Sequence, residues 1–330
     1  MHDAIDIHTH VVPYDFPSYQ GAGAADKWPH MAHGADCGHR NVMIDGKVFR
    51  TVQAEAWDVG RRLEHMAASG VARQVLSPMP ELLSYWLPAS DAAALCTHVN
   101  DTLGAMVAQA PDGLNALGCI PLQDVDLGIL ELQRLMGLGT FRGVEIGTNI
   151  NGVAIGDARF APFFAAAEAL GAAIFVHPLH PVGLDRLVGP PGLEQLVAFQ
   201  GETALAVTSL ITGGILERHP RLRIAISHGG GGFALTLPRL ALGWSRLGFD
   251  PGTRAPIEQA RSLFYDTLVY DKATLEHLIA TFGRTQLCIG TDHPFVIQER
   301  APLQRVEEVA QDAELLQLLL SGNARRFLGE

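Results

Sequence analysis

Two histidines near the N-terminus, in Ala4-Ile-Asp-Ile-His8-Thr-His10, are the residues with the plainest chemical potential. They follow β-branched, apolar residues and stand two positions apart. Side chains at i and i+2 of an extended strand project from one face, so both imidazoles point together toward a common ligand. A divalent metal ion is the natural candidate, and the chain holds further ligand types at comparable places. Ile-Phe-Val-His ends at His177, Ile-Ala-Ile-Ser-His ends at His228, and Gly-Thr-Asp ends at Asp292, each after an apolar run. Three imidazoles and one carboxylate suit Zn²⁺ and leave a coordination position for water. The expected ligands are His8, His10, His177 and Asp292. His228 then stands beside the ion, taking a proton from its water or positioning it.

Such a set works only if the fold brings both ends of the chain to one place. Apolar, strand-like runs at 4–10, 71–77, 114–120, 141–147, 172–177, 222–228, 262–266 and 285–290 alternate with helical patterns. The helices are expected at 58–69, 89–109, 125–137, 158–170, 201–217, 233–246, 271–281 and within 302–328. Asp58 is placed to cap the first helix and Gly70 to end it. Eight apolar strands alternating with helices predict an α/β (β/α)8 barrel, whose functional residues sit at the C-terminal strand ends. All five metal-site candidates fall there. No linker divides the chain, so 1–330 reads as one barrel domain. Residues 13–57 form an insertion over its mouth, and 300–330 supply closing helices. Within the insertion, Asp45-Gly46 between alternating segments predicts a β-hairpin.

The bulk composition narrows the partners. Of 330 residues, 24 are basic and 35 acidic, giving a net charge of -11 without a basic run. Nucleic acid is therefore not expected, whereas a small anionic substrate held by local arginines is. No apolar run reaches the ~20 residues of a membrane span. Nothing at the N-terminus reads as a signal peptide. Four scattered cysteines, Cys37, Cys96, Cys119 and Cys288, read as reduced thiols. A soluble, cytoplasmic protein is expected.

Ile-Asp-Ile-His-Thr-His, Phe-Val-His-Pro, Ser-His-Gly-Gly-Gly-Gly-Phe and Gly-Thr-Asp-His-Pro-Phe resemble the signature segments of the amidohydrolase superfamily. Phe49-Arg50, Gln53 to Trp57, Pro121-Leu-Gln123, Val144 to Asn149 and Ser321 to Ala324 are similar to its branch containing aminocarboxymuconate semialdehyde decarboxylase. The resemblance runs almost end to end. It implies one zinc ion, no organic cofactor, and nonoxidative loss of CO₂ from an unsaturated carboxylate similar to a ring-cleavage product. It also implies that Arg50 holds the substrate carboxylate and Phe295 lines the pocket. Arg239 would reach a neighbouring subunit's site, which calls for a homodimer. Read alone, Arg50 would be a surface residue on a hairpin and Arg239 one on a helix.

Relatives that bridge two metals use a carboxylated lysine on the fourth strand. Lys27, Lys47 and Lys272 all lie off the barrel strands, and the fourth strand carries Glu145 instead. Glu145 could bridge metals or point into the helix layer beside an arginine; one ion is favoured. His180 and His293 adjoin motif residues without an assigned role. The run Leu179-His-Pro-Val-Gly183 and the segment Gly189-Pro-Pro-Gly192 depart from the branch pattern, which leaves the substrate open. A hydrolase or hydratase acting on a small carboxylate, ester or lactone would use the same activated water. A catalytically inert binding protein would lack affinity for the ion.

Overall fold

The computed structural model describes residues 3–21, 23, 25–34, 38–249 and 252–330. Eight parallel strands form a nearly closed α/β barrel. They are β1 (Ile5–Val11), β2 (Arg73–Pro78), β3 (Leu114–Gly118), β4 (Phe141–Gly147), β5 (Ala173–His177), β6 (Arg223–Ile226), β7 (Phe264–Asp266) and β8 (Leu287–Cys288). Neighbours in sequence are neighbours in the sheet, as right-handed β-α-β crossovers dictate. Between β8 and β1 the seam is closed by Ile7 N–H to Ile289 O at 2.9 Å and His10 N–H to His293 O at 2.7 Å.

Both faces of this sheet are buried, which explains its apolar strands. The barrel interior holds Ile5, Ile7, Val75, Leu117, Phe175, Ala225, Phe264 and Cys288, with Phe327 and Leu328 of the last helix (Asn323–Leu328) packed on them. This apolar plug fills one end, below the C-terminal strand ends that carry the candidate residues. β4 contributes Glu145 to the interior, because its Cα partner in β5 is the inward-facing Phe175.

The larger cluster lies between the sheet and the outer helices, chiefly Val59–Ser69, Ala89–Gln109, Val125–Leu138, Ala161–Leu170, Phe199–Thr212, Phe233–Leu247 and Lys272–Phe282. Asp58 caps the first of these through Arg61 N–H at 2.8 Å, a contact of about 1 kcal/mol, and Gly70 ends it at φ 75°.

Two local expectations need correction. The helix predicted at 201–217 breaks, because Gly213 packs on the Gly156 backbone; an added Cβ would lie 2.1 Å from Gly156 O. Gly214 then turns left-handed and a short helix, Ile215–Arg218, follows. The closing segment is helical, as expected: Pro302–Glu307, then Ala313–Gln317 running through a π-helical stretch, Leu318–Gly322, into Asn323–Leu328. In the insertion, the Asp45-Gly46 hairpin is present, with both residues at positive φ, but it gains a third strand, His30–His33. That strand has no buried residue, so no apolar alternation marks it. Cys96, Cys119 and Cys288 are buried free thiols; Cys37 lies outside the described residues. Among the described residues no helix is long and apolar enough to cross a membrane.

Candidate metal centre and active site

The first barrel strand carries an irregularity between Asp6 and Thr9, where three steps along β1 match two along β2. The extra residue is a bulge, a device that re-aims side chains. It leaves Ile7 in the plug while turning His8 and His10 toward the mouth. Their Nε2 atoms lie 3.0 Å apart. Asp292 Oδ1 is 3.3 Å from His8 Nε2 and 3.0 Å from His10 Nε2. His177, at the end of β5, and His228, just past β6, face the same point. One donor atom from each of His8, His177, His228 and Asp292 lies within 4.8 Å of every other. All five residues are buried.

Three of these are set by what the rest of the fold does with their second polar atom. His8 Nδ1 donates to Asp266 Oδ2 at 2.6 Å, His10 Nδ1 to Pro78 O at 2.9 Å, and His177 Nδ1 to Pro178 O at 2.9 Å. Each bond fixes the tautomer and leaves Nε2 with its lone pair facing inward. His228 differs: its Nδ1 is buried without a partner. Asp292 and His228 also sit at φ 64° and 53°, conformations that cost a non-glycine residue about 1–3 kcal/mol. Such strain persists where the surroundings over-determine it.

These atoms fit a cation. Two imidazole lone pairs and a carboxylate oxygen crowd within 3.3 Å, with the rings' own protons already spent on other acceptors. Burial alone would depress His8, yet its bonds to Asp266 and Asp292 raise it to about 10. Burial would likewise raise Asp292, but His10 and His8 hold its carboxyl well below the usual range. The site therefore attracts positive charge, proton or metal. Burial, with His8 nearby, lowers His228 to about 4, so it stays neutral.

Asp266 is the residue that the sequence analysis passed over. It is fully buried at the end of β7 and accepts His8 Nδ1–H together with the backbone N–H groups of His228 and Gly229 at 2.9 and 2.8 Å. One carboxylate thus orients a histidine on β1 and the turn carrying another. Gly290 permits the approach: an added Cβ would stand 2.6 Å from Asp266 Cβ and 2.9 Å from His8 Cβ. Asp266 obeys the same strand-end rule as the others, which was the available signal. Replacing it with asparagine removes the charge while keeping the volume, and should weaken metal affinity about 10–100-fold. Titration against a chromogenic chelator checks this; unchanged affinity would show that Asp266 is merely structural.

Arg62, on the first helix, was also passed over. It is completely buried, donating to His10 O at 2.6 Å, Glu55 O at 2.9 Å and Gln74 Oε1 at 3.1 Å. It ties the metal strand to the insertion's exit.

A cavity of about 410 Å³ opens over His177, His228 and Asp292. Arg50 and Phe295 both line it, the guanidinium carbon 4.1 Å from the Phe295 ring centre, and Phe295 stacks on His10 at 4.9 Å. Phe199, Leu196 and Ile297 give it apolar walls, and Gln195, Gln200 and Gln298 polar ones. Arg239 lies elsewhere, exposed on the helix Phe233–Leu247. Glu145 faces inward with Ser77 and with His10 Nδ1 at 3.9 Å, not toward an arginine in the helix layer. His180 stacks on Trp86 at 4.8 Å beside an adjoining cavity, and His293 is buried behind the site against His65.

A parallel barrel with imidazoles and carboxylates gathered at its C-terminal mouth defines a metal-dependent barrel enzyme. The chain matches the amidohydrolase family over residues 5–329 and belongs to it. It is 35% identical to 2-amino-3-carboxymuconate-6-semialdehyde decarboxylase of Dictyostelium discoideum, across 98% of this chain and 91% of that one. The fold is shared with the apo form of Metarhizium anisopliae IDCase (TM-score 0.83, 22% identity, 99% and 97% of the two chains). It is shared too with 5-carboxyvanillate decarboxylase of Novosphingobium aromaticivorans, solved with manganese and a nitrobenzoic acid (TM-score 0.73, 21% identity, 84% and 82%). Within its family the chain is an enzyme of the carboxy-lyase type.

Proposed function

We propose that this protein is a zinc-dependent, nonoxidative decarboxylase of an unsaturated carboxylate. The substrate would be similar to the ring-cleavage product named in its Dictyostelium relative. The observation that carries the reading is the pairing of a cation-attracting histidine and aspartate cluster with a guanidinium, Arg50, on the wall of the same cavity. His8, His10, His177 and Asp292 would hold the ion. Three nitrogens and one oxygen favour zinc, and manganese is the alternative named for the carboxyvanillate enzyme. When bound, the ion supplies Lewis acidity, polarising an oxygen and acidifying water.

The remaining work falls to the chain's own side chains. Arg50 fixes a substrate carboxylate by charge-assisted hydrogen bonds, and Phe295 holds the guanidinium plane in place. Decarboxylation leaves an electron pair on carbon, so a proton must be moved in step. His228 is buried, lines the cavity and is partnerless at Nδ1, which places it to relay that proton. Phe199 and Phe295 keep bulk water from the developing carbanion. Arg239 would complete the pocket of a second copy in a homodimer, with the enzyme in the cytoplasm and neither membrane nor nucleic acid as a partner.

The test is a screen of the metal-loaded enzyme against unsaturated and aromatic carboxylates by mass spectrometry, with metal analysis alongside. Loss of CO₂ (44 Da, by its formula) from at least one class is expected. Uptake of water without CO₂ release would replace the decarboxylase with a hydrolase or hydratase.

A further inference from the structure

One residue on the cavity wall holds a backbone conformation that its type disfavours and that the reaction as described leaves unexplained. Tyr270 follows β7 and lines the cavity with Phe295, Ile297 and Gln298. Its φ is 59°, in the left-handed region that a bulky aromatic residue rarely enters. The local turn does not require a tyrosine. Asp271 caps the next helix, Lys272–Phe282, through Thr274 N–H at 2.8 Å, and glycine or asparagine at 270 would make the same turn at lower cost.

The strained backbone aims the ring across the mouth. The phenol donates to Ile297 O at 2.7 Å, at the tip of the loop that follows β8. Within that loop Phe295 N–H bonds Asp292 O at 2.9 Å and Gln298 N–H bonds Phe295 O at 3.1 Å, so a tie at the tip also holds Phe295. Phe295 in turn backs the Arg50 guanidinium, whose carbon is 4.1 Å from its ring centre. Tyr270 is 47% exposed, and a hydrogen bond in contact with water returns less than left-handed strain costs. The tyrosine is therefore a poor choice for stability, as residues at functional sites often are. We infer that Tyr270 is a positioning residue, a clasp between the loops after β7 and β8 that holds Phe295, and through it Arg50, in place over the candidate ion site. Without the clasp the mouth opens more often and the guanidinium loses its backing. The role takes from the proposed function only that Arg50 meets the substrate.

The test treats metal-loaded wild type, Tyr270→Phe and Tyr270→Asn with phenylglyoxal and times the adducts at Arg50 and Arg61 by peptide mass mapping. Arg61 is the internal reference, its side chain 62% exposed against 17% for Arg50. Tyr270→Phe keeps the ring and loses the hydroxyl, so Arg50 should react about 2–10-fold faster relative to Arg61, the worth of one hydrogen bond in the closed state. Tyr270→Asn tolerates the left-handed turn; it should show at least the same acceleration while melting no lower than the wild type. Metal content should stay unchanged in both. On a carboxylate that is turned over, KM should rise by a similar factor and kcat should change less. An unchanged Arg50-to-Arg61 ratio in either variant overturns the inference. So does a Tyr270→Asn protein that melts below the wild type, because Tyr270 would then support the scaffold alone. Absence of CO₂ release from every compound would remove the decarboxylase reading, while the labelling ratio still judges Tyr270.

Discussion

His228→Ala should keep its metal and lose turnover by about 10²–10⁴-fold, the usual worth of a positioned proton carrier. The expectation comes from a difference among otherwise similar side chains. His8, His10 and His177 each spend Nδ1 on a fixed acceptor, as metal-binding imidazoles do, while His228 Nδ1 has none. By distance alone His228 would qualify as a ligand, since it has a donor atom within 4.8 Å of donor atoms of His8, His177 and Asp292. The two roles separate in one measurement. A variant that binds metal stoichiometrically but turns over slowly identifies the proton carrier. A variant that elutes without metal makes His228 a ligand and displaces His10 from the set.

For Asp292→Ala the expected loss is of the metal itself, with activity falling to background. Asp292 Oδ1 is the carboxylate oxygen that approaches both inward-facing nitrogens, 3.3 Å from His8 Nε2 and 3.0 Å from His10 Nε2. Zinc held by four protein ligands binds with roughly 10–16 kcal/mol, so one ligand accounts for about 3 kcal/mol, or some 10²-fold in affinity. The loss should exceed this, because Asp292 also carries the negative charge that compensates the ion. Metal content after dialysis against a weak chelator is the readout. Full occupancy would move the centre away from Asp292 and undo the ligand assignment with it.

The site was legible where its residues obey a rule of position. Histidines 8, 10, 177 and 228 and Asp292 were found because strand ends can be located from apolar runs, and a barrel sends all such ends to one mouth. Asp266 satisfies the same rule but sits on a strand of only three residues, Phe264–Asp266, whose apolar signal is weak. Arg62 escaped for another reason: helical periodicity tells which face is apolar, not that an arginine on it reaches the backbone of His10. The helix break at Gly213 followed from a tertiary contact invisible to local pattern.

The seam between the first and last strands has one more consequence. His8 O accepts the backbone N–H of Asp292 at 2.9 Å, so the ends of the polypeptide are stitched together at the point where the ion would sit. Nearly the entire chain intervenes, and its loop entropy must be spent before these groups can meet. The centre cannot exist in a half-wound intermediate. Cation uptake during refolding would therefore act as a timer for ring completion, registering only molecules whose two termini have already been buckled shut.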